Sequence, residues 1–173
     1  RIQLQARRIG LKAAPVVAYC DRIAVPVVAG ILRPMILLPL WIATDMDPEQ
    51  VLSILAHEMA HIRRFDSFVN LLQRMLETIL FFHPAVWYIS RQLSFERENC
   101  CDDAVVNAGC ESVQYASALL RMAELCAAKH GSISTASLAT LAASGDSGSQ
   151  LKRRIVRLII GEQRLCLTRV DSL

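Results

Sequence analysis

The stretch Asp47 to Arg64, DPEQVLSILAHEMAHIRR, decides how the rest of the chain is read. Asp47 can cap a helix, Pro48 suits its first turn, and Gln50 completes a capping-box pattern with Asp47. Val51, Leu52, Leu55, Met59 and Ile62 then recur at helical spacing, so the stretch predicts a helix from about Pro48 to Arg64 with one buried face. Inside it stands His57-Glu58-Met59-Ala60-His61. Residues four apart on a helix share a face. His57 and His61 can therefore hold one zinc ion from the same side. Glu58, one position along, points beside the metal, where its carboxylate can take a proton from the attacking water.

A hydrolytic zinc site uses a third protein ligand and keeps a position open. His83, beside a helix break, and His130, at a helix end, are the remaining nitrogen candidates. The better candidate is Glu98, in Glu96-Arg97-Glu98-Asn99-Cys100-Cys101-Asp102-Asp103. Glu98 and Asp102 share a helix face, so Asp102 is placed to accept a hydrogen bond from a ligand histidine's other ring nitrogen, while Glu96 points nearly the opposite way. His83 and Arg97 are candidates to stabilise the oxyanion of a tetrahedral intermediate, against simpler roles in capping and packing.

Working outward, residues 1–12 read as a short amphipathic helix, and Ile23 to Leu40 as two short strands joined by a turn at Gly30 and Arg33-Pro34. Further helices are expected from Asp66 to about Phe82, from Ala85 to Ala108 and from Val113 to Lys129. The segment 131–150 is small, polar and linker-like and reads as a place for self-cleavage, and 151–173 begins as a basic amphipathic helix. Its cluster Lys152, Arg153, Arg154 and Arg157 suits either anionic headgroups or a solvated face. The expected organisation is a zinc peptidase domain over 1–130, with a helical core over 48–130, then the linker and the basic segment. The expected fold is α+β, mostly helical, with a small antiparallel sheet.

Composition bounds the alternatives. Of 173 residues 53% are hydrophobic, high for a freely soluble domain, yet no run is long and apolar enough to span a bilayer. The chain opens on Arg1 rather than Met, which reads as a piece of a longer protein whose membrane segments lie elsewhere. The net charge of +3, without a dense basic stripe, gives no sign of direct nucleic-acid binding. None of the six cysteines forms a C-x-x-C pair, so they read as reduced thiols, which favours the cytosolic side.

Three stretches carry a resemblance: Arg33 to Pro39 (RPMILLP), Ala56 to Asn70 (AHEMAHIRRFDSFVN) and Phe82 to Asp103 (FHPAVWYISRQLSFERENCCDD). With them the chain resembles the peptidase domain of the bacterial beta-lactam-sensing receptor and methicillin-resistance antirepressor family. The likeness covers roughly residues 20–130 and extends weakly to about 160. It implies a zincin-like fold of the gluzincin type, with His57, His61 and Glu98 as zinc ligands, Glu58 as catalytic base and Asp102 as supporting acid. It implies an inner-membrane protein with this domain on the cytoplasmic side, beside transmembrane helices of the same chain. Its substrate would be a transcriptional repressor, the protein itself, or both. Nothing in the chain corresponds to the family's drug-sensing domain. Asp66 and Asn70 match the family pattern and read as capping and packing residues. Arg33 to Pro39 reads either as an edge strand that pairs with a peptide or as a core strand. The rival reading is a non-catalytic signalling module in which zinc only holds the fold.

Overall fold

The computed structural model describes residues 1–130 and 147–170. Its elements, in chain order, are α1 (Ile2–Ile9), β1 (Val16–Cys20), β2 (Val27–Ala29), β3 (Met35–Pro39), α2 (Leu40–Asp45), α3 (Pro48–Arg63), α4 (Asp66–Ile79), α5 (Pro84–Asn107), α6 (Ser112–His130) and α7 (Ser147–Val170). The fold is α+β and mostly helical, as the periodicity predicts.

The central element is α3. Its start matches the local signals: Pro48 occupies the first turn, and the Asp47 backbone N–H donates to Gln50 Oε1 at 3.3 Å. Seven side chains in one run, from Ser53 to Ala60 with only Glu58 left out, are buried. A helix so enclosed needs neighbours on most sides. α1, α4, α5 and α6 pack around it, and β2 lies alongside. Ile54, Leu55 and Met59 are almost wholly withdrawn from water, which contributes about 1.5–3 kcal/mol each. α7 rests on α5 and α6, with Leu158 buried and Leu151 and Ile155 against the core.

The sheet differs from the expectation. It has three strands in the order β1-β3-β2, with β1 parallel and β2 antiparallel to β3, so it is mixed. β1 has no strong alternation, its exposure running out, half, half, out, half, and no sequence signal singled it out. β3 is therefore the central strand. Arg33 to Pro39 does not offer a free edge to a peptide, because both edges of β3 are already paired. Gly30, at φ +90°, turns the chain between β2 and β3, and a Cβ there would lie 2.8 Å from the Arg33 carbonyl oxygen.

The expected linker over 131–150 falls largely outside the described residues; its last four residues, 147–150, open α7. Phe81, Phe82, Trp87 and Tyr88 are exposed. Among the described residues, no helix is long and apolar enough to cross a membrane.

Candidate metal centre

Two buried faces meet at the site. α3 brings His57 and His61, and α5 crosses it with Glu98 and Asp102. His57 Nε2 lies 3.2 Å from His61 Nε2 and 3.3 Å from Glu98 Oε2. His61 Nε2 is 3.7 Å from Glu98 Oε1. The outer nitrogens are held separately. His61 Nδ1 faces Asp66 Oδ2 at 2.7 Å, and His57 Nδ1 faces the Tyr115 hydroxyl at 2.8 Å.

These contacts set the tautomers by elimination. Tyr115 donates its hydroxyl proton to Asp102 Oδ1 at 2.6 Å, so its oxygen accepts from His57 Nδ1–H. Asp66 is acceptor-only when ionised, so His61 Nδ1 donates to it. Both Nε2 atoms are then left with lone pairs, aimed at each other and at a carboxylate. Three acceptors converging on one point require a cation there, either a proton or a metal. Edges of about 3.3 Å are also what four-coordinate zinc with ligands near 2.0–2.1 Å requires. The residues present therefore fit a zinc ion, which His57, His61 and Glu98 would hold.

Without metal the proton takes that place. Burial alone would lower the His57 pKa, but hydrogen bonds to Asp102 and Glu98 outweigh it and raise it to about 9. Burial would raise the Glu98 pKa, yet the hydrogen bond and charge of His57, with Arg154, bring it down to about 2. Asp102 is fully buried and also held well below the carboxylate range, by His57 and Arg154 against desolvation.

Sequence reasoning missed three residues of this cluster. Asp66 does not merely cap and pack: it is buried against His61, and its pKa is lowered by that pairing despite desolvation. Phe65 makes this reach possible. Its left-handed backbone, φ 57°, turns the chain between α3 and α4 and brings Asp66 back over His61. Tyr115 comes from α6, and no motif marks it. Arg154 comes from α7 and donates from Nε and Nη2 to both Asp102 oxygens, with Nη1 3.0 Å from Glu98 Oε2. Arg157 joins it on α5, bonding Asp103 and the Asn99 carbonyl. These two members of the basic cluster face the domain itself, because α5 supplies acids that outcompete solvent.

Asp102 lies 3.3 Å from His57 Nδ1. Its support for that histidine runs mainly through Tyr115, whose oxygen is nearer. Cys101 is buried beside the His61–Asp66 pair, with Sγ 3.4 Å from His61 Nδ1 and 3.6 Å from Asp66 Oδ2. Its burial and the nearby Asp66 charge raise its pKa far above the usual thiol value, so it remains a neutral thiol. Among the described cysteines all are free, though Cys100 is exposed.

Glu58 is half-buried and makes no hydrogen bond or ion pair among the described residues, which leaves its carboxylate available. Glu96 bonds Gln92 and Asn99, away from the histidines. His83 caps α5, its Nδ1 accepting from the Ala85 N–H at 3.3 Å. Arg97 binds Gln73 and Ser94, joining α4 to α5. Neither His83 nor Arg97 makes a hydrogen bond with His57, His61 or Glu98. A cleft of about 470 Å³ opens beside His61, between the β2–β3 turn and the start of α4, lined by Ile31, Leu32, Pro34, Phe65 and Phe68 among others.

The family model described as BlaR1 peptidase M56 matches residues 1–158. The regulatory protein BlaR1 of Bacillus licheniformis is 32% identical over 138 residues, which are 78% of this chain and 22% of that protein. The methicillin resistance mecR1 proteins of Staphylococcus aureus and Staphylococcus epidermidis are each 25% identical over 107 residues, 61% of this chain and 18% of theirs. The chain thus spans about a fifth of the length of these relatives. No solved structure is a significant match to it.

Proposed function

The chain belongs to the BlaR1 peptidase M56 family, and on that premise we propose that it is the catalytic domain of a zinc-dependent endopeptidase of the gluzincin type. The observation that carries this reading is the convergence of His57 Nε2, His61 Nε2 and a Glu98 carboxylate oxygen, 3.2–3.7 Å apart, with Glu58 adjacent and uncommitted.

Zinc, when bound, polarises the scissile carbonyl and makes water a usable nucleophile near neutral pH. The rest is work of the chain. Asp66 and the Tyr115–Asp102 pair hold the two imidazoles with their Nε2 lone pairs inward. Glu58 accepts the proton of the water as its oxygen attacks the carbonyl carbon. It returns that proton to the amide nitrogen as the C–N bond breaks, so acid and amine leave with the proton count balanced. The apolar cleft beside His61 holds flanking side chains of the peptide.

The substrate proposed is a protein, either a transcriptional repressor or the enzyme itself, with no direct contact to nucleic acid. The domain is placed on the cytoplasmic side of the inner membrane, beside transmembrane helices of the same polypeptide. The test compares the parent with Glu58→Gln, both as the full-length membrane protein, for zinc content and for hydrolysis of a transcriptional repressor protein and of the enzyme itself. Equal zinc with cleavage lost in the variant is expected. Cleavage retained in the variant overturns the mechanism, and zinc bound with no cleavage by the parent under activating conditions favours the non-catalytic module.

A further inference from the structure

α4 is built the wrong way round for a helix in water. Its buried side chains are Asp66, Gln73 and Glu77, all polar. Its outward side chains include Phe68, Leu72, Met75 and Ile79, and the last is 64% exposed. The apolar surface continues around the tip through Phe81 and Phe82 and onto α5 at Trp87 and Ile89. So large a contiguous apolar patch on a folded domain marks an interaction surface.

The polar groups beneath it are already satisfied. Glu77 accepts from Ser90, Gln73 and Arg74, and Gln73 also bonds Arg97 and the Ser90 carbonyl. Trp87 Nε1 donates to the Phe81 carbonyl oxygen at 2.9 Å. The polar layer under the apolar face is therefore satisfied within the protein, where an unpaired group would be costly.

Charge narrows the occupant. Between Ile62 and Phe95 the only acids are Asp66 and Glu77, both buried, while the four basic residues, Arg63, Arg64, Arg74 and Arg91, are all exposed. Arg64 and Arg74 pair with Asp66 and Glu77, whereas Arg63 and Arg91 have no acidic partner among the described residues. Two copies docked through this face would therefore bring uncompensated positive charge together, which disfavours self-association. An anionic lipid surface supplies the missing negative charge. Length settles the posture: the 14 residues of α4 extend about 21 Å, short of the roughly 30 Å hydrocarbon core.

We propose that the α4–α5 hairpin docks on an anionic bilayer, with α4 lying in the headgroup–acyl boundary and Arg91, which has no acidic partner among the described residues, at the phosphates. α4 begins at Asp66, which holds His61, so one helix joins the lipid surface to the candidate metal site. The docking is independent of the metal chemistry, and its test reads lipid rather than proteolysis.

The experiment incubates the chain with vesicles of phosphatidylcholine alone or mixed equally with phosphatidylglycerol. Sedimentation gives partition, and Trp87 reports depth, with Trp87→Phe as the blank that isolates its signal from buried Trp41. Preferential binding to the mixed vesicles is expected, with a blue shift of Trp87 and quenching by lipids brominated high on the acyl chain. Met75→Gln with Ile79→Gln, both at exposed positions, should lower partition by about tenfold per residue. Arg91→Gln should lower it by about fivefold on the mixed vesicles only. Circular dichroism checks folding of each variant. Unchanged partition of the double Gln variant overturns the proposal, as does Trp87 quenched by aqueous iodide but not by bromolipid. A dimer that forms without vesicles and is dissolved by the Gln pair also overturns it, assigning the face to a second copy.

Discussion

The Arg154 guanidinium grips both oxygens of Asp102, Nε to Oδ2 at 2.9 Å and Nη2 to Oδ1 at 2.7 Å, from a helix 52 residues away. Asp102 is fully buried, so this fork, with the Tyr115 hydroxyl, replaces the water it has lost. Through Tyr115 the contact extends to His57, and through Nη1 to Glu98.

Arg154→Met is expected to leave the buried Asp102 charge uncompensated and to destabilise the metal-free protein by about 3–5 kcal/mol. Adding Asp102→Leu should recover part of that loss, because the unpaired charge is then gone. Urea unfolding of the single and double variants measures both. A double variant less stable than Arg154→Met would show that Asp102 stabilises the fold without its guanidinium.

Asp66→Ala should lower zinc affinity by about 10- to 100-fold, the usual effect of removing an orienting partner of a metal-bound histidine. The change removes the 2.7 Å contact that holds His61 Nδ1. Competition with a chromophoric chelator gives the affinity. An unchanged value would return Asp66 to a packing role.

Substitutions along α5 should grade by position. Glu98→Ala removes a converging oxygen, and zinc should be largely lost. Glu96→Ala breaks only contacts to Gln92 and Asn99 and should leave affinity nearly unchanged. The same chelator titration decides between them, and loss of zinc from Glu96→Ala alone would reverse the assignment.

Zinc binding should expel a proton. The His57 pKa in the metal-free fold, about 9, lies above its unfolded value of 6.5. Its stabilising contribution is thus fully present below about pH 6.5 and lost as pH rises through about 9. Zinc needs the neutral imidazole, so affinity should climb by up to about tenfold per pH unit from neutrality to about pH 9 and then level. Glu98, at about 2, is ionised throughout and adds no proton. Calorimetry in buffers of different ionisation enthalpy counts the proton; a count near zero at pH 7 would mean that His57 is already neutral.

What the sequence determined by itself is the part built on local spacing. Helical periodicity and the Asp47–Gln50 cap place α3, and the four-residue interval alone puts His57 with His61 and Glu98 with Asp102 on common faces. The rest needed distances in space. Tyr115 and Arg154 reach Asp102 from α6 and α7, and no periodicity in either segment encodes which side chain arrives at a buried carboxylate. Asp66 was visible as a residue but not as a partner, since its contact depends on the left-handed turn at Phe65. β3 became central only when β1, without a clear alternation of its own, paired beside it. Amphipathicity marks two faces of α4 but not which faces inward; packing against Ser90, Ser94 and Arg97 of α5 turned the polar one in. Local backbone preferences and side-chain periods are carried by neighbouring residues, whereas pairings across tens of residues are selected only when helices dock and buried charges must find partners.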